Sequence, residues 1–182
     1  ALEDDFQRIQ SRMFMMYGVN DTDRLHFATA AGKIGNGLDE QLENFVREHP
    51  DTKLIIIDTM QKIREVDGEA YSYASDYEII GKLKQFADKH CICILTVHHT
   101  RKQPAGDSFE MISGTTGLLG CADGSLLMQK KKRTALEATI DVVGRDQQDQ
   151  ILYLKKDADT QIWNLEKVEN ELHKEPPDHI LE

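Results

Sequence analysis

The apolar residues of this chain fall into runs of two kinds, helical stripes in its first half and strand-like alternation in its last third. After an acidic start at Asp4 and Asp5, Phe6, Ile9, Met13 and Met16 are spaced three to four apart, which predicts a helix to about Tyr17, stopped by Gly18. Leu25 to Thr29 reads as a short strand, followed by a flexible loop at Gly32, Gly35 and Gly37. Leu38, Leu42, Phe45 and Val46 put a stripe on a second helix, closed by His49-Pro50. The run Leu54-Ile55-Ile56-Ile57-Asp58 suits a strand buried on both faces and ending in a carboxylate. A polar stretch from Met60 to Asp76 precedes a helix from Tyr77 to His90, then a second buried strand, Cys91 to Val97, ending in His98-His99. Strands and helices that alternate with short connections imply a mainly parallel sheet.

Beyond Pro104 to Ser113, read as a mobile loop, and a small-residue stretch at Gly114 to Asp123, the period changes to two. Ser125 to Lys131, Ala135 to Val143, Gln150 to Lys155 and Gln161 to Leu165 predict an antiparallel meander that completes one side of the sheet. The expected organisation is one domain over residues 1–168 and a surface or frayed tail over 169–182, with Leu181-Glu182 resembling a tag scar.

Composition narrows the class. The chain has 182 residues, 40% apolar and 30% charged, enough for a real core, and no apolar run long enough to cross a bilayer. A cytoplasmic location is expected. Cys91, Cys93 and Cys121 form no C-x-x-C pair and read as reduced core residues. A net charge of −10 argues against broad nucleic-acid binding, although basic residues cluster at Arg101-Lys102 and at Lys130-Lys131-Lys132-Arg133, the second resembling a solvated hairpin tip.

Two strands thus deliver polar groups to one edge: Asp58 with Thr59, and His98 with His99. Ligands of parallel α/β sheets sit at the carboxyl ends of the strands, and a carboxylate there commonly holds magnesium against nucleotide phosphates. The alternative is a polar strand end that caps the next segment. Adjacent histidines on an extended chain point opposite ways, so one faces the site and the other the core. Glu3 is open to two readings, a general base or an ordinary helix cap.

Four segments together carry a resemblance. Leu-Ile-Ile-Ile-Asp-Thr-Met-Gln-Lys-Ile-Arg (54–64), Ile-Leu-Thr-Val-His-His-Thr-Arg-Lys (94–102), Ile-Ser-Gly-Thr-Thr-Gly-Leu-Leu-Gly (112–120) and Val-Gly-Arg-Asp (143–146) resemble, in that order, the RecA-like ATPase core of RepA-type replicative DNA helicases. The resemblance implies a three-layer α/β P-loop NTPase fold, mainly parallel with antiparallel strands at the C-terminal side. It implies a motor that couples ATP hydrolysis, with magnesium, to movement along single-stranded DNA in a hexameric ring. By the same resemblance Asp58 positions magnesium through water, with Thr59 beside it, and Glu3 polarises the attacking water. His99 senses the γ-phosphate, Arg145 reaches a neighbouring subunit's nucleotide, and Arg101 and Lys102 meet the DNA. An equal alternative for Arg145 is a turn arginine paired with Asp146.

One departure matters. The phosphate-cradling G-x-x-x-x-G-K-[ST] is absent from the chain, and Ala31-Gly32-Lys33-Ile34 lacks the earlier glycine and the hydroxyl. The expectation is an excised fragment that does not hydrolyse ATP alone and covers an exposed sheet edge by self-association. Two rivals stand beside the motor: a non-enzymatic regulator or loader of the same fold, and a DNA-binding module working through Arg101, Lys102 and the cluster at 130–133, whose binding would need no nucleotide and fall steeply with salt.

Overall fold

The computed structural model describes residues 1–19, 22–64, 73–100 and 120–170, with the backbone alone at 73–76. It divides into two compact units, Ala1–Ala122 and Asp123–Glu182.

The first unit opens with helix α1 (Phe6–Tyr17), whose ends are set by local chemistry. The extended Asp5 caps it, its carboxylate accepting the Arg8 N–H at 2.8 Å. Gly18 ends it with φ 69°, a left-handed turn that glycine adopts without steric cost, and its N–H donates to the Phe14 carbonyl. Of the predicted stripe Ile9 and Met13 are buried, whereas Phe6 is 61% exposed.

Two expectations for the next segment change. Residues 25–29 form no strand; they find no ladder partner among the described residues, and the Ala28 carbonyl accepts the Ala1 ammonium instead. The glycine segment is a tight turn, with Lys33 bridged to Asn36 and positive φ at Gly35 and Gly37. Gly32 is required by space, since a Cβ there would lie 2.6 Å from the Gly37 and Leu38 backbone.

Helix α2 (Leu38–Glu48) follows, then strand β1 (Leu54–Ile57), a short helix α3 (Met60–Ile63), helix α4 (Tyr73–His90) and strand β2 (Cys93–Thr96). β1 and β2 pair in parallel, with Leu54 opposite Cys93 and Ile57 opposite Thr96. Ile34, Leu38, Ile57, Met60, Ile63, Ile79 and Leu83 form the core, with Ile55 and Ile94 packed on it.

That core covers one face of the strand pair. Leu54 and Ile56 are half exposed, and Leu95, opposite Ile56, is 37% exposed, so burial on both faces does not hold. The cysteine expectation is corrected as well: Cys91 and Cys93 are exposed and only Cys121 is buried. Cys91 sits in the turn that leaves α4, with φ 53°, and Cys93 is on the uncovered face.

The second unit is the expected meander: β3 (Gly124–Gln129), β4 (Glu137–Gly144), β5 (Gln150–Lys156) and β6 (Trp163–Asn170), each antiparallel to the next. Among the described residues it is a sheet of its own, where the sequence reading joins it to the parallel sheet. Each strand finds its partner through a short turn, which satisfies its hydrogen bonds locally. β6 also runs past the expected start of the tail, because Glu169 accepts the Tyr153 hydroxyl at 2.8 Å. Residues 171–182, with the expected tag scar, lie outside the described residues.

Candidate active site at the carboxyl edge of the parallel strands

Parallel pairing sends the exits of β1 and β2 to the same edge. Two backbone bonds lock them there: Val97 N–H donates to the Ile57 carbonyl, and Met60 N–H donates to the Val97 carbonyl, both at 2.9 Å. Asp58 leaves β1 half-buried, and the Asp58–Thr59 peptide is cis. Thr59 then starts α3 from an extended conformation.

Thr59 is 1% exposed, and its hydroxyl does not cap α3. It donates to Glu3 Oε1 at 3.3 Å, across 56 residues of sequence. Beside it the Leu2 N–H donates to the Asp58 carbonyl at 2.7 Å. Asp4 is held by the guanidinium groups of Arg8 and Arg12 at 3.2 and 2.6 Å. Glu3 is therefore fastened on both sides while its own side chain faces solvent. It does not cap the helix, because Asp5 does.

At the exit of β2, His98 is half-buried and His99 exposed. The edge thus brings Glu3 to the buried Thr59 hydroxyl beside Asp58, and His98 and His99 follow β2 out at the same edge. Carboxylates in this number suit a magnesium ion, which keeps several waters and takes one or two protein ligands. An exposed, oriented carboxylate such as Glu3 can also accept a proton from a water. No group of three or more metal-ligating side chains forms among the described residues.

A phosphate cradle needs free N–H groups, and the glycine turn offers few. The N–H of Gly32 donates to the Gln41 side chain and that of Gly35 to Asp39 Oδ2. Those of Lys33, Ile34, Asn36 and Leu38 donate to backbone carbonyls, and Lys33 Nζ donates to the Lys62 carbonyl at 2.5 Å. This turn therefore offers no phosphate cradle.

Arg145 lies in the second unit, 56% exposed. Its N–H donates to the Asp123 carbonyl at 2.9 Å, and its guanidinium stands 3.8 Å from the Asp123 carboxylate, so Asp123 takes the place expected for Asp146. Arg101 and Lys102, the loop that follows them to Ser113 and most of the Gly114 segment lie outside the described residues. Sequence reasoning missed the bond between Thr59 and Glu3, for which no local signal exists. It also passed over Arg64, a 6% exposed guanidinium at the end of α3 whose Nη2 is 4.0 Å from Met60 Sδ.

No helix among the described residues is long and apolar enough to cross a membrane. No curated protein matches the chain. A family comparison does: residues 1–105 match the AAA domain. The match covers more than half of the chain and includes Glu3, Asp58, Thr59 and His99, and the protein is accordingly a member of the AAA-domain family, whose P-loop ATPase type binds nucleotide.

Proposed function

We propose that this chain is part of an ATP-driven motor of the RepA-type replicative helicase kind, coupling hydrolysis to translocation on single-stranded DNA. The observation that carries the reading is the convergence of Glu3 and Thr59, 56 residues apart, at the strand exit that presents Asp58. In this reading Asp58 holds hydrated magnesium, Glu3 polarises the attacking water, and His99 responds to the terminal phosphate. Arg145 serves a neighbouring subunit's nucleotide, and Arg101 with Lys102 contacts the DNA. A three-layer RecA-like arrangement and a hexameric ring belong to the same proposal.

The occupied N–H groups of the glycine turn favour a second reading, a regulator or loader of this fold that does not bind nucleotide. Calorimetry with magnesium and ATP, on this chain and on the complete encoded protein, separates the two. The motor reading expects tight binding in the complete protein, lost in Asp58→Ala. Absence of binding in both selects the regulator.

A further inference from the structure

The second unit carries a charged feature that the nucleotide edge does not use. The β3–β4 turn presents Lys130, Lys131, Lys132 and Arg133, all exposed. Lys130 Nζ lies 5.5 Å from the centroid of the Trp163 ring, and Lys156 Nζ lies 5.8 Å from the same point. The Lys130 ammonium also donates to the Arg133 carbonyl at 3.1 Å, which folds the turn back toward the ring. The registers explain how residues of the two edge strands meet. Lys156 stands opposite Trp163, Ala138 opposite Leu154, and continuing the β3–β4 register puts Lys130 opposite Ala138. Ala138 is small and 6% exposed, so long side chains from both sides can close over it.

None of these five cations pairs with a carboxylate among the described residues. Their neighbours do: Lys155 meets Glu166 at 3.9 Å. Asp157, next to Lys156, instead accepts the N–H groups of Asp159 and Thr160 and the Thr160 hydroxyl. In a chain of net charge −10, two ammonium groups over the ring of its single tryptophan, beside three further exposed cations in the adjoining turn, are an electrostatic exception. Charge alone would be a solvated hairpin tip. The half-buried indole beside the Lys130 and Lys156 ammonium groups adds a flat aromatic surface next to the basic turn.

We propose that Lys130, Lys131, Lys132, Arg133, Lys156 and Trp163 form a binding surface for single-stranded nucleic acid. Phosphates replace the indole as the partner of the ammonium groups, and an unstacked base lies against the ring. A duplex offers the phosphates but no free base face. A bilayer is disfavoured, because residues 130–135 carry no large apolar side chain to insert and the chain as a whole is acidic. The surface goes beyond the motor reading, whose DNA contact falls on Arg101 and Lys102, and it needs no nucleotide.

The test titrates the 182-residue chain, without nucleotide, with oligothymidylate about 20 nucleotides long, several times a minimal site. The fluorescence of the single tryptophan reports on Trp163 itself. The expected result is saturable quenching, with affinity falling as salt rises at a log–log slope of about −3, from roughly 0.7 per neutralised phosphate. Lys131→Glu with Lys132→Glu, both in an exposed turn, weakens binding at least about tenfold and reduces that slope by about 1. Trp163→Leu, followed by anisotropy of a labelled oligonucleotide, weakens binding about tenfold and leaves the slope unchanged; Trp163→Phe retains most of the affinity. Asp58→Ala binds like the parent, so a failure of the nucleotide reading leaves this one standing. Equal affinity for duplex or heparin, an unresponsive Trp163, or full binding by the double glutamate variant overturns the proposal.

Discussion

Thr59 Oγ1 donates to Glu3 Oε1 at 3.3 Å, joining the N-terminal segment to the exit of β1. Thr59 is nearly fully buried and Glu3 is exposed, so the bond ties an exposed carboxylate to the core. In the motor reading it aims the Glu3 carboxylate. Thr59→Val should then lower ATP hydrolysis by the complete encoded protein about tenfold, while nucleotide affinity stays near the parent value. Glu3→Gln should lower turnover by about 10² to 10⁴ with binding retained, as for loss of a general base. A steady-state ATPase assay beside a binding isotherm checks both, and unchanged turnover in Glu3→Gln would remove Glu3 from the chemistry.

The core should rank substitutions by burial. Ile63 is 0% exposed and Met60 1%, so Ile63→Ala or Met60→Ala should cost about 2–5 kcal/mol. Ile56, half exposed on the uncovered face, should cost less than about 1 kcal/mol on truncation to Ala. Urea unfolding of the three variants gives the comparison.

Helix α1 and the glycine turn make separate demands on the backbone. Asp5→Ala removes the side-chain acceptor of the Arg8 N–H and should cost about 1 kcal/mol. Gly32→Ala should cost more, because its Cβ meets main chain at 2.6 Å and nothing flexible can give way. Thermal unfolding followed by circular dichroism should put Gly32→Ala below Asp5→Ala, and the reverse order would mean that the turn can open.

Stability should fall at both ends of the pH scale for identifiable reasons. The Lys89 and His90 side chains beside Glu43 hold its carboxyl below the usual range, and the Thr160 backbone and hydroxyl do the same for Asp157. A depressed folded value stabilises above the unfolded value of about 4, and the contribution is lost as pH drops through the folded one. Tyr153 goes the other way, raised first by its bond to Glu169. Its contribution is present below about pH 10 and is lost as pH climbs through the raised folded value. Glu43→Gln and Tyr153→Phe should flatten the acid and alkaline limbs of a stability–pH profile respectively, and each should leave the other limb alone.

Thiol accessibility follows from the strand faces. An aromatic disulfide reagent should modify Cys91 and Cys93 in the native protein, with Cys121 reacting only on unfolding. Native reaction at Cys121 would contradict its burial.

Much of this molecule is legible from local pattern because the deciding forces are local. The bounds of α1 and α2, the glycine that stops the first, and the four alternating strands follow from period, caps and turns, whose partners lie within a few residues. The candidate residues Asp58, Thr59, His98 and His99 are legible for the same reason, as polar groups that end apolar runs. Leu25 to Thr29 shows the limit, since a strand exists only through a neighbour and the sequence does not name one.

By itself the sequence determined α1, α2, the body of α4, the two β patterns and which residues end the parallel strands, since each depends on spacing and side-chain chemistry alone, whereas α3 (Met60–Ile63) and the start of α4 at Tyr73 fall in a stretch it read as a polar loop. The tertiary structure decided the rest: that Thr59 turns inward to Glu3, that one face of β1 and β2 is covered and the other not, that the meander forms its own sheet, and that Lys130 and Lys156 flank one indole. The Thr59–Glu3 bond, the cover on β1 and β2 and the approach of Lys130 to Trp163 join residues far apart in the chain, selected by packing and by the hydrogen-bond needs of groups taken out of water, and no local period encodes them.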